Sequence, residues 1–173
     1  MSTLNKIEII QDAGEIIFVP SGWYHQVYNL EDTISINHNW FNGCNIKIVY
    51  SNLILELRKV ENEISDCKDE NNFLQWNQLC QDVLRTSYGM NLIDLMNLLN
   101  HILKRRIKLL NSEENDFQNS VIFDGCQLGR NHAQFDVLKV KEITSNLCSD
   151  FKKLKMDEES NICQKMLKEC EGL

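Results

Sequence analysis

The residues best suited to chemistry lie in the stretch 14–42, where one histidine follows the only proline of the chain. His25 comes just after the Pro20-Ser21-Gly22 turn, at the start of a strand-like run. A rigid turn holds the next side chain in a fixed direction, as a metal ligand requires. Residue types alone nevertheless favour a packed or hydrogen-bonded imidazole beside Trp23 and Tyr24, so both interpretations stay open at this point.

A second polar group lies on the predicted strand 33–40. Ser35, Asn37 and Asn39 share one face, because successive strand residues point to opposite sides. The opposite face carries Ile34, Ile36 and His38. If the polar face points inward it lines a ligand pocket, and if it points outward it is an ordinary solvated face. The histidine of this strand faces away from the two asparagines and is not grouped with them.

Short strands are expected to position these residues. Four runs before Gly43 have the alternating or β-branched pattern of strands, and they cover residues 7–9, 16–19, 25–28 and 33–40. Turn signals separate the runs at 12–14, 20–22 and 29–32. Several short strands joined by brief turns favour a sandwich or barrel over a parallel α/β sheet.

After Gly43 the apolar spacing changes to i, i+3, i+4, i+7, which predicts amphipathic helices. The predicted helices cover residues 46–64, 72–86, 91–110, 133–151 and 161–170. Polar residues and two glycines predict a long loop at about 111–132. The predicted organisation is therefore a β unit, 1–43, followed by a helical region, 44–173.

Composition limits the classes of function. The 173 residues carry a net charge of −7, which argues against direct nucleic-acid binding because phosphates require a positive surface. The one basic run, 104–108, fits a solvated helix end. Seven cysteines without a Cys-x-x-Cys pair predict reduced thiols in the cytoplasm, or also in the nucleus. No apolar run is long enough to span a bilayer, so no membrane partner is expected.

The stretch GEIIFVPSGWYHQVYNLEDTISINHNW resembles the distal half of JmjC-type oxygenases, in the iron(II)- and 2-oxoglutarate-dependent superfamily. The matching positions are Gly14-Glu15, Phe18-Val19-Pro20, Gly22-Trp23-Tyr24-His25, Asn29-Leu30, Thr33-Ile34 and Asn39-Trp40. The long amphipathic helix after SINHNWFNG is most similar to a lysyl hydroxylase group of that family. The close similarity covers about residues 7–43, becomes looser through the helices and is weak beyond Leu110.

The resemblance implies a fold, two cofactors and roles for single residues. The implied fold is the C-terminal part of a double-stranded β-helix, a cupin-like jelly roll, followed by an α-helical bundle. His25 is implied as the distal ligand of Fe(II), which the family holds with two histidines and one carboxylate. Asn39 and Asn37 are implied to contact 2-oxoglutarate, and Ser35 to line the pocket. The aromatic pair before the histidine is implied to pack behind its ring.

By the same resemblance, the substrate is a lysine side chain in a protein of the translation-termination machinery, such as a release factor. One departure from the family limits this expectation. None of the four histidines is part of a His-x-Asp or His-x-Glu pair, so the other two iron ligands of the family are missing from these residues. We therefore expect the chain to be the C-terminal part of an Fe(II)- and 2-oxoglutarate-dependent protein hydroxylase, and to be inactive by itself.

Two alternatives stay open. A short, non-catalytic protein would use its helices as an interaction module. A cupin-like binder of small molecules, unrelated to oxygenases, would bind its ligand whether or not iron is present. The apolar stripe from Ile46 to Ile64 also allows a homodimer through the C-terminal helices, although packing within one chain is the commoner use of such a stripe.

Overall fold

In the computed structural model, the described residues are 6–20, 22–68, 72–112, 121–123, 126–127 and 129–172. The chain divides into two units, Met1–Asn39 and Trp40–Leu173. Parts of the predicted loop at 111–132, namely residues 113–120, 124–125 and 128, lie outside the described residues, as does Ser21 of the predicted turn.

The expectation of a double-stranded β-helix is wrong for this chain, because the described residues of 6–39 contain no strand. Their turns, in contrast, are as predicted. The Glu15 N–H donates to the Asp12 carbonyl at 3.2 Å, and the Trp23 N–H donates to the Pro20 carbonyl at 3.2 Å. Gly14 has a φ of 88°, in the left-handed region that glycine adopts without steric cost.

The failure of the strand prediction has a physical cause. A strand is held by hydrogen bonds to a neighbouring strand, and a few short strands bury too little surface to be stable without further packing. An alternating pattern of apolar and polar residues therefore leads to a strand only where a second strand is present to pair with it. The apolar side chains of the first unit are exposed instead, for example 72% of Phe18, 97% of Ile34 and 94% of Ile36.

The second unit is built mainly of helices. Its elements are α1 (Ile46–Glu63), α2 (Phe73–Tyr88), α3 (Leu92–Leu110), β1 (Val121–Phe123), β2 (Cys126–Gln127), α4 (Arg130–Lys153) and α5 (Asp157–Glu171), with a 3-10 turn at Ser65–Cys67. β1 and β2 pair antiparallel inside the segment predicted as loop, with Val121 opposite Gln127. The five predicted helices are therefore confirmed, with starts that differ by up to four residues.

Those shifted starts follow from local chemistry. α5 begins at Asp157 rather than at residue 161, and its first turn carries Asp157, Glu158 and Glu159. Carboxylates in the first turn stabilise a helix through its dipole, although they carry no apolar signal. Among the described helices, none combines the length and apolar content needed to cross a membrane.

The core of the second unit lies where α4 packs against α3 and α5. α1 packs mainly on α2 and also contacts α4. Fully buried side chains from these helices include Leu95, Leu99, Leu103, Ile143, Leu147, Phe151 and Cys163. The α1 stripe is part of this core, since Ile46, Leu53, Leu57 and Val60 are buried.

A polar turn precedes α1. The Asn42 Oδ1 accepts from the N–H groups of Cys44 and Asn45, at 2.9 and 3.0 Å. In return, the Asn45 Oδ1 accepts from the Asn42 N–H at 2.9 Å, and its Nδ2 donates to the Trp40 carbonyl at 2.8 Å. These bonds give the backbone of 40–45 one defined path into the helix.

Gly43 of this turn approaches α4 closely. A Cβ at Gly43 would lie 2.7 Å from Cε1 of Phe135 and 2.9 Å from Oδ1 of Asp136. Asp136 is held in place by Arg106, whose Nε lies 2.7 Å from its Oδ2. A larger residue would require the Phe135 ring and the Asp136 carboxylate to shift, so glycine allows this close approach.

The corner between α2 and α3 is capped on both sides. α2 ends at Gly89, whose φ of 76° lies in the left-handed region and whose N–H donates to the Arg85 carbonyl at 2.8 Å. α3 begins with a capping box. The Asn91 Oδ1 accepts from the Asp94 N–H at 2.8 Å, and Asp94 Oδ2 accepts from the Asn91 N–H at 3.2 Å.

Two buried polar side chains join the corner to α2. The Gln81 Oε1 accepts from the Leu92 N–H at 3.0 Å, and the Asn91 Nδ2 donates to the Gln81 carbonyl at 3.2 Å. Gln81 is 1% exposed, whereas Leu79, which the apolar spacing predicts to face inward, is 41% exposed. The backbone groups at the start of α3 thus draw a polar residue into the buried position.

Replacing Asn91 by alanine removes a buried helix cap and a donor to a buried carbonyl at the same time. We expect Asn91→Ala to lower the free energy of unfolding by about 1–3 kcal/mol, measured by urea denaturation. The matched control is Asn72→Ala at the start of α2, where the cap is exposed and its Oδ1 lies 3.4 Å from the Gln75 N–H. Equal losses in the two variants would contradict this account of the corner.

A polar clamp joins α1 to α4. The Tyr50 hydroxyl donates to the Asp150 Oδ2 at 2.5 Å, and the Lys47 Nζ lies 2.7 Å from the Glu142 Oε1. Burial, and then the hydrogen bond to Asp150, raises the pKa of Tyr50 above its ordinary value. The folded protein therefore favours the neutral phenol.

Because the pKa of Tyr50 is raised in the folded protein, the free energy of unfolding decreases at high pH. The contribution of Tyr50 to stability is complete below the pKa of an unfolded tyrosine, about 10, and is lost as the pH rises through the higher folded value. We expect the free energy of unfolding to fall more steeply above pH ~10 in the wild type than in Tyr50→Phe. Parallel curves in urea denaturation across this range would contradict the prediction.

Candidate functional site

His25 lies on the exposed segment that follows the turn at Pro20. Its Nδ1 lies 3.2 Å from the carbonyl oxygen of Trp23. A carbonyl can only accept, so Nδ1 is the donor in this contact, and in the neutral imidazole the lone pair then lies on Nε2. That tautomer is the one in which Nε2 can bind a metal ion, and a backbone carbonyl is a usual partner for the other ring nitrogen of a metal-binding histidine.

The group that orients His25 differs from the expected one. Packing by the side chains of Trp23 and Tyr24 is not observed, since Trp23 is 59% exposed and Tyr24 fully exposed. The backbone carbonyl of Trp23 orients the ring instead. Sequence reasoning missed this contact because every residue has a carbonyl, and only the two-residue spacing to the histidine could have pointed to it.

The three candidate pocket residues are also exposed. Ser35, Asn37 and Asn39 lie on a segment that belongs to no strand in the described residues. Within that part of the chain their side chains form no hydrogen bond with one another or with His25. The structure thus places all four candidate residues in one unit without assembling them into a pocket, and their roles stay predictions.

An iron centre of the expected kind needs two histidines and a carboxylate on one face of the metal. Within the described residues, no three side chains of histidine, cysteine, aspartate or glutamate come together as a metal site. His25 offers one nitrogen, and no His-x-Asp or His-x-Glu pair exists in the sequence. The described residues of this chain therefore do not by themselves fit a complete iron site.

The four buried cysteines are poor candidates for substitute ligands. Cys80, Cys148, Cys163 and Cys170 are buried in the helical unit. Burial raises the pKa of the Cys163 thiol to about 12 and that of Cys80 to about 11. A metal binds the thiolate, so thiols held neutral at physiological pH favour a packing role.

A cleft of about 330 Å³ opens at the start of α2, lined in part by Phe73, Trp76 and Asn77. The Asn77 side chain is already engaged, because its Nδ2 donates to the Leu154 carbonyl at 2.6 Å. Lys155 lies 5.2 Å from the centre of the Phe73 ring. Glu61 and Lys68 also line this cleft, and within the described residues they form no ion pair with each other, so His25 remains the strongest candidate.

Comparisons with known proteins show what the segment of the candidate residues is similar to. Residues 3–40 match the family described as "JmjC domain, hydroxylase". The chain is 45% identical over 153 residues to the 2-oxoglutarate and iron-dependent oxygenase JMJD4 of Danio rerio, an alignment that covers 86% of this chain and 36% of the relative. The Drosophila melanogaster homolog of that oxygenase is 46% identical over 142 residues, 82% of this chain and 32% of the relative.

The name of a third relative states a different activity. The arginine-specific demethylase JMJ20 of Arabidopsis thaliana is 43% identical over 122 residues, 70% of this chain and 25% of the relative. The chain thus spans between a quarter and about a third of the length of these relatives. No solved structure matches the chain. The chain is thus similar to JmjC-type oxygenases, with a JmjC match over the histidine segment and an alignment that continues through most of the helices.

Proposed function

We propose that this chain is the C-terminal part of an Fe(II)- and 2-oxoglutarate-dependent protein hydroxylase. In this proposal His25 binds the iron through Nε2, Asn39 and Asn37 hydrogen-bond 2-oxoglutarate, and Ser35 lines the pocket. The observation that carries it is the position of His25 inside the JmjC match, with a ring proton that is engaged by a backbone carbonyl.

The bound iron would supply the activation of oxygen, and the chain's own residues would bind and orient. Trp23 would keep the imidazole in the tautomer that leaves Nε2 free. Asparagine amides on the same segment would donate to carboxylate oxygens of 2-oxoglutarate. The remaining iron ligands would come from polypeptide that is not among these 173 residues, so the chain by itself would be inactive.

The proposed substrate is a lysine side chain in a translation release factor, and the proposed compartment is the cytoplasm, with the nucleus as a second one. The support is the similarity of the helical segment to a lysyl hydroxylase group of the family. The names of the relatives include both an oxygenase and an arginine-specific demethylase. The side chain that is modified therefore has to be measured.

A non-catalytic interaction module is the second candidate function. The observation that favours it is the helical unit, which has its own buried core. A homodimer through the C-terminal helices is proposed as one form of this activity. Because the buried residues of the α1 stripe pack inside the chain, such a dimer would use outward side chains of α1, such as Ile48 and Leu55, which are 58% and 53% exposed.

The two functions are separated by an assay on the native protein, captured from its source with an antibody against the helical unit. Release of succinate that depends on 2-oxoglutarate, with one oxygen atom added to a lysine of a release-factor peptide, supports the hydroxylase. Oxygen added to another side chain keeps the enzyme class and rejects the substrate. A captured protein that binds partners but releases no succinate supports the interaction module.

A further inference from the structure

The exposed face of α3 carries a basic stripe, formed by His101, Lys104, Arg105 and Lys108. Residues spaced by three, four and seven positions lie on one side of a helix, so the four side chains point the same way. All four are exposed. The stripe is about 10 Å long, from seven residues with a rise of about 1.5 Å each.

The lysines and the arginine of the stripe have no ion-pair partner among the described residues. Within the described part of the chain, Lys104, Arg105 and Lys108 form no ion pair. Arg106, one position away but on a different face, is paired with Asp136 at 2.7 Å and is only about one-fifth exposed. The helix thus separates one paired cation, Arg106, from three that are unpaired among the described residues.

The stripe also borders a recess. Arg105 and Lys108 line an open cleft of about 390 Å³ together with Leu109 and Ser112. The Ser112 hydroxyl is engaged with the Leu109 carbonyl at 2.7 Å, so the polar atoms available in the cleft are those of the cations. Leu109 adds an apolar contact at the base of the stripe.

We propose that the basic stripe of α3 is a docking surface for an acidic segment of a partner protein. Three cations along about 10 Å match carboxylates on one face of a helix or on three to four extended residues, and the cleft beside Leu109 accepts one apolar side chain. A nucleic acid fits less well, since no phenylalanine, tyrosine or tryptophan lies on the stripe for base stacking and its three cations would neutralise only a few phosphates.

The test is a binding titration on the full 173-residue chain. The probe is a fluorescent ten-residue peptide of glutamate and aspartate with one leucine, and its control replaces every carboxylate by an amide. The test variant is Arg105→Glu with Lys108→Glu. The matched control is Lys165→Glu with Lys168→Glu on α5, which makes the same change in net charge at two exposed lysines. Thermal melting checks that each variant folds.

We expect the acidic peptide to bind, to weaken as salt is raised, and to lose about tenfold or more in affinity in the α3 variant. The α5 variant should change affinity by less than about twofold. Equal losses in both variants, or no binding, would overturn the proposal. So would tighter binding of a single-stranded oligonucleotide, or salt-sensitive self-association that is lost in the α3 variant, since these outcomes assign the stripe to a nucleic acid or to a second copy.

Discussion

Under the proposed hydroxylase function, replacement of His25 by alanine in the native protein is expected to lower the turnover of 2-oxoglutarate by about 100-fold or more. Loss of a group that only orients a metal ligand costs about 10–100-fold, and removal of the ligand itself should cost at least the upper end of that range. The measurement is succinate release at saturating 2-oxoglutarate, together with the iron content of the purified protein.

The control for this prediction is His38→Ala, because His38 is an exposed histidine of the same segment. It should leave both the iron content and the turnover within about twofold of the wild type, as expected for a surface substitution. Equal loss of activity in the two variants would show that the segment is sensitive to any change, and it would remove the ligand role from His25.

The largest expected effect on stability comes from Phe151. This side chain is fully buried where α4 packs on α3 and α5, and it is among the largest in the core. Phe151→Ala leaves a cavity in a close-packed interior and should lower the free energy of unfolding by about 3–5 kcal/mol. For a unit of this size we expect the melting temperature to fall by roughly 10–15 °C.

Leu138→Ala is the matched apolar control, since Leu138 lies on the same helix and is 64% exposed. Its effect should stay within about 0.5 kcal/mol. If Phe151→Ala cost no more than this control in urea denaturation, the assignment of the α4 interface as the core of the helical unit would be wrong.

The helices could be predicted from sequence because their signal is local. The period of the apolar residues in α1 and α3 specifies which faces turn inward, and Gly89 marks the end of α2 with one residue. The spacing of apolar residues did not predict burial correctly where a contact with another helix buries the side chain. Gln81 is buried because its Oε1 accepts a hydrogen bond from the Leu92 N–H at the start of α3. The spacing of apolar residues does not predict such a bond.

The strands before Gly43 could not be predicted in the same way. Turns such as the one between Asp12 and Glu15 depend on residues that are close in sequence, and they form as expected. The hydrogen bonds of a sheet depend on a second strand. The alternation of Ile34 and Ile36 with polar residues does not show whether such a strand is present. The alternating pattern therefore indicated how these residues could pair in a sheet. The described residues of 6–39 form no strand.

At the candidate site, too, the sequence predicts some features and misses others. The residue type and the preceding turn leave two interpretations of His25 open, and its role as an iron ligand follows from the resemblance and stays a prediction. Its orientation depends on the backbone carbonyl of Trp23, which no residue type encodes. Asn37 and Asn39 remain predictions, because their grouping depends on a strand that the described residues do not form.

The most direct test of the central claim is the amino-acid sequence of the native polypeptide upstream of Met1, read by mass spectrometry on protein captured from the source. The claim is that this chain supplies one iron ligand and that other polypeptide supplies the rest. It predicts peptides that precede Met1 and contain a His-x-Asp or His-x-Glu pair. A native N-terminus at Met1 would contradict it, and the function would then have to be sought in the helical unit and its partners.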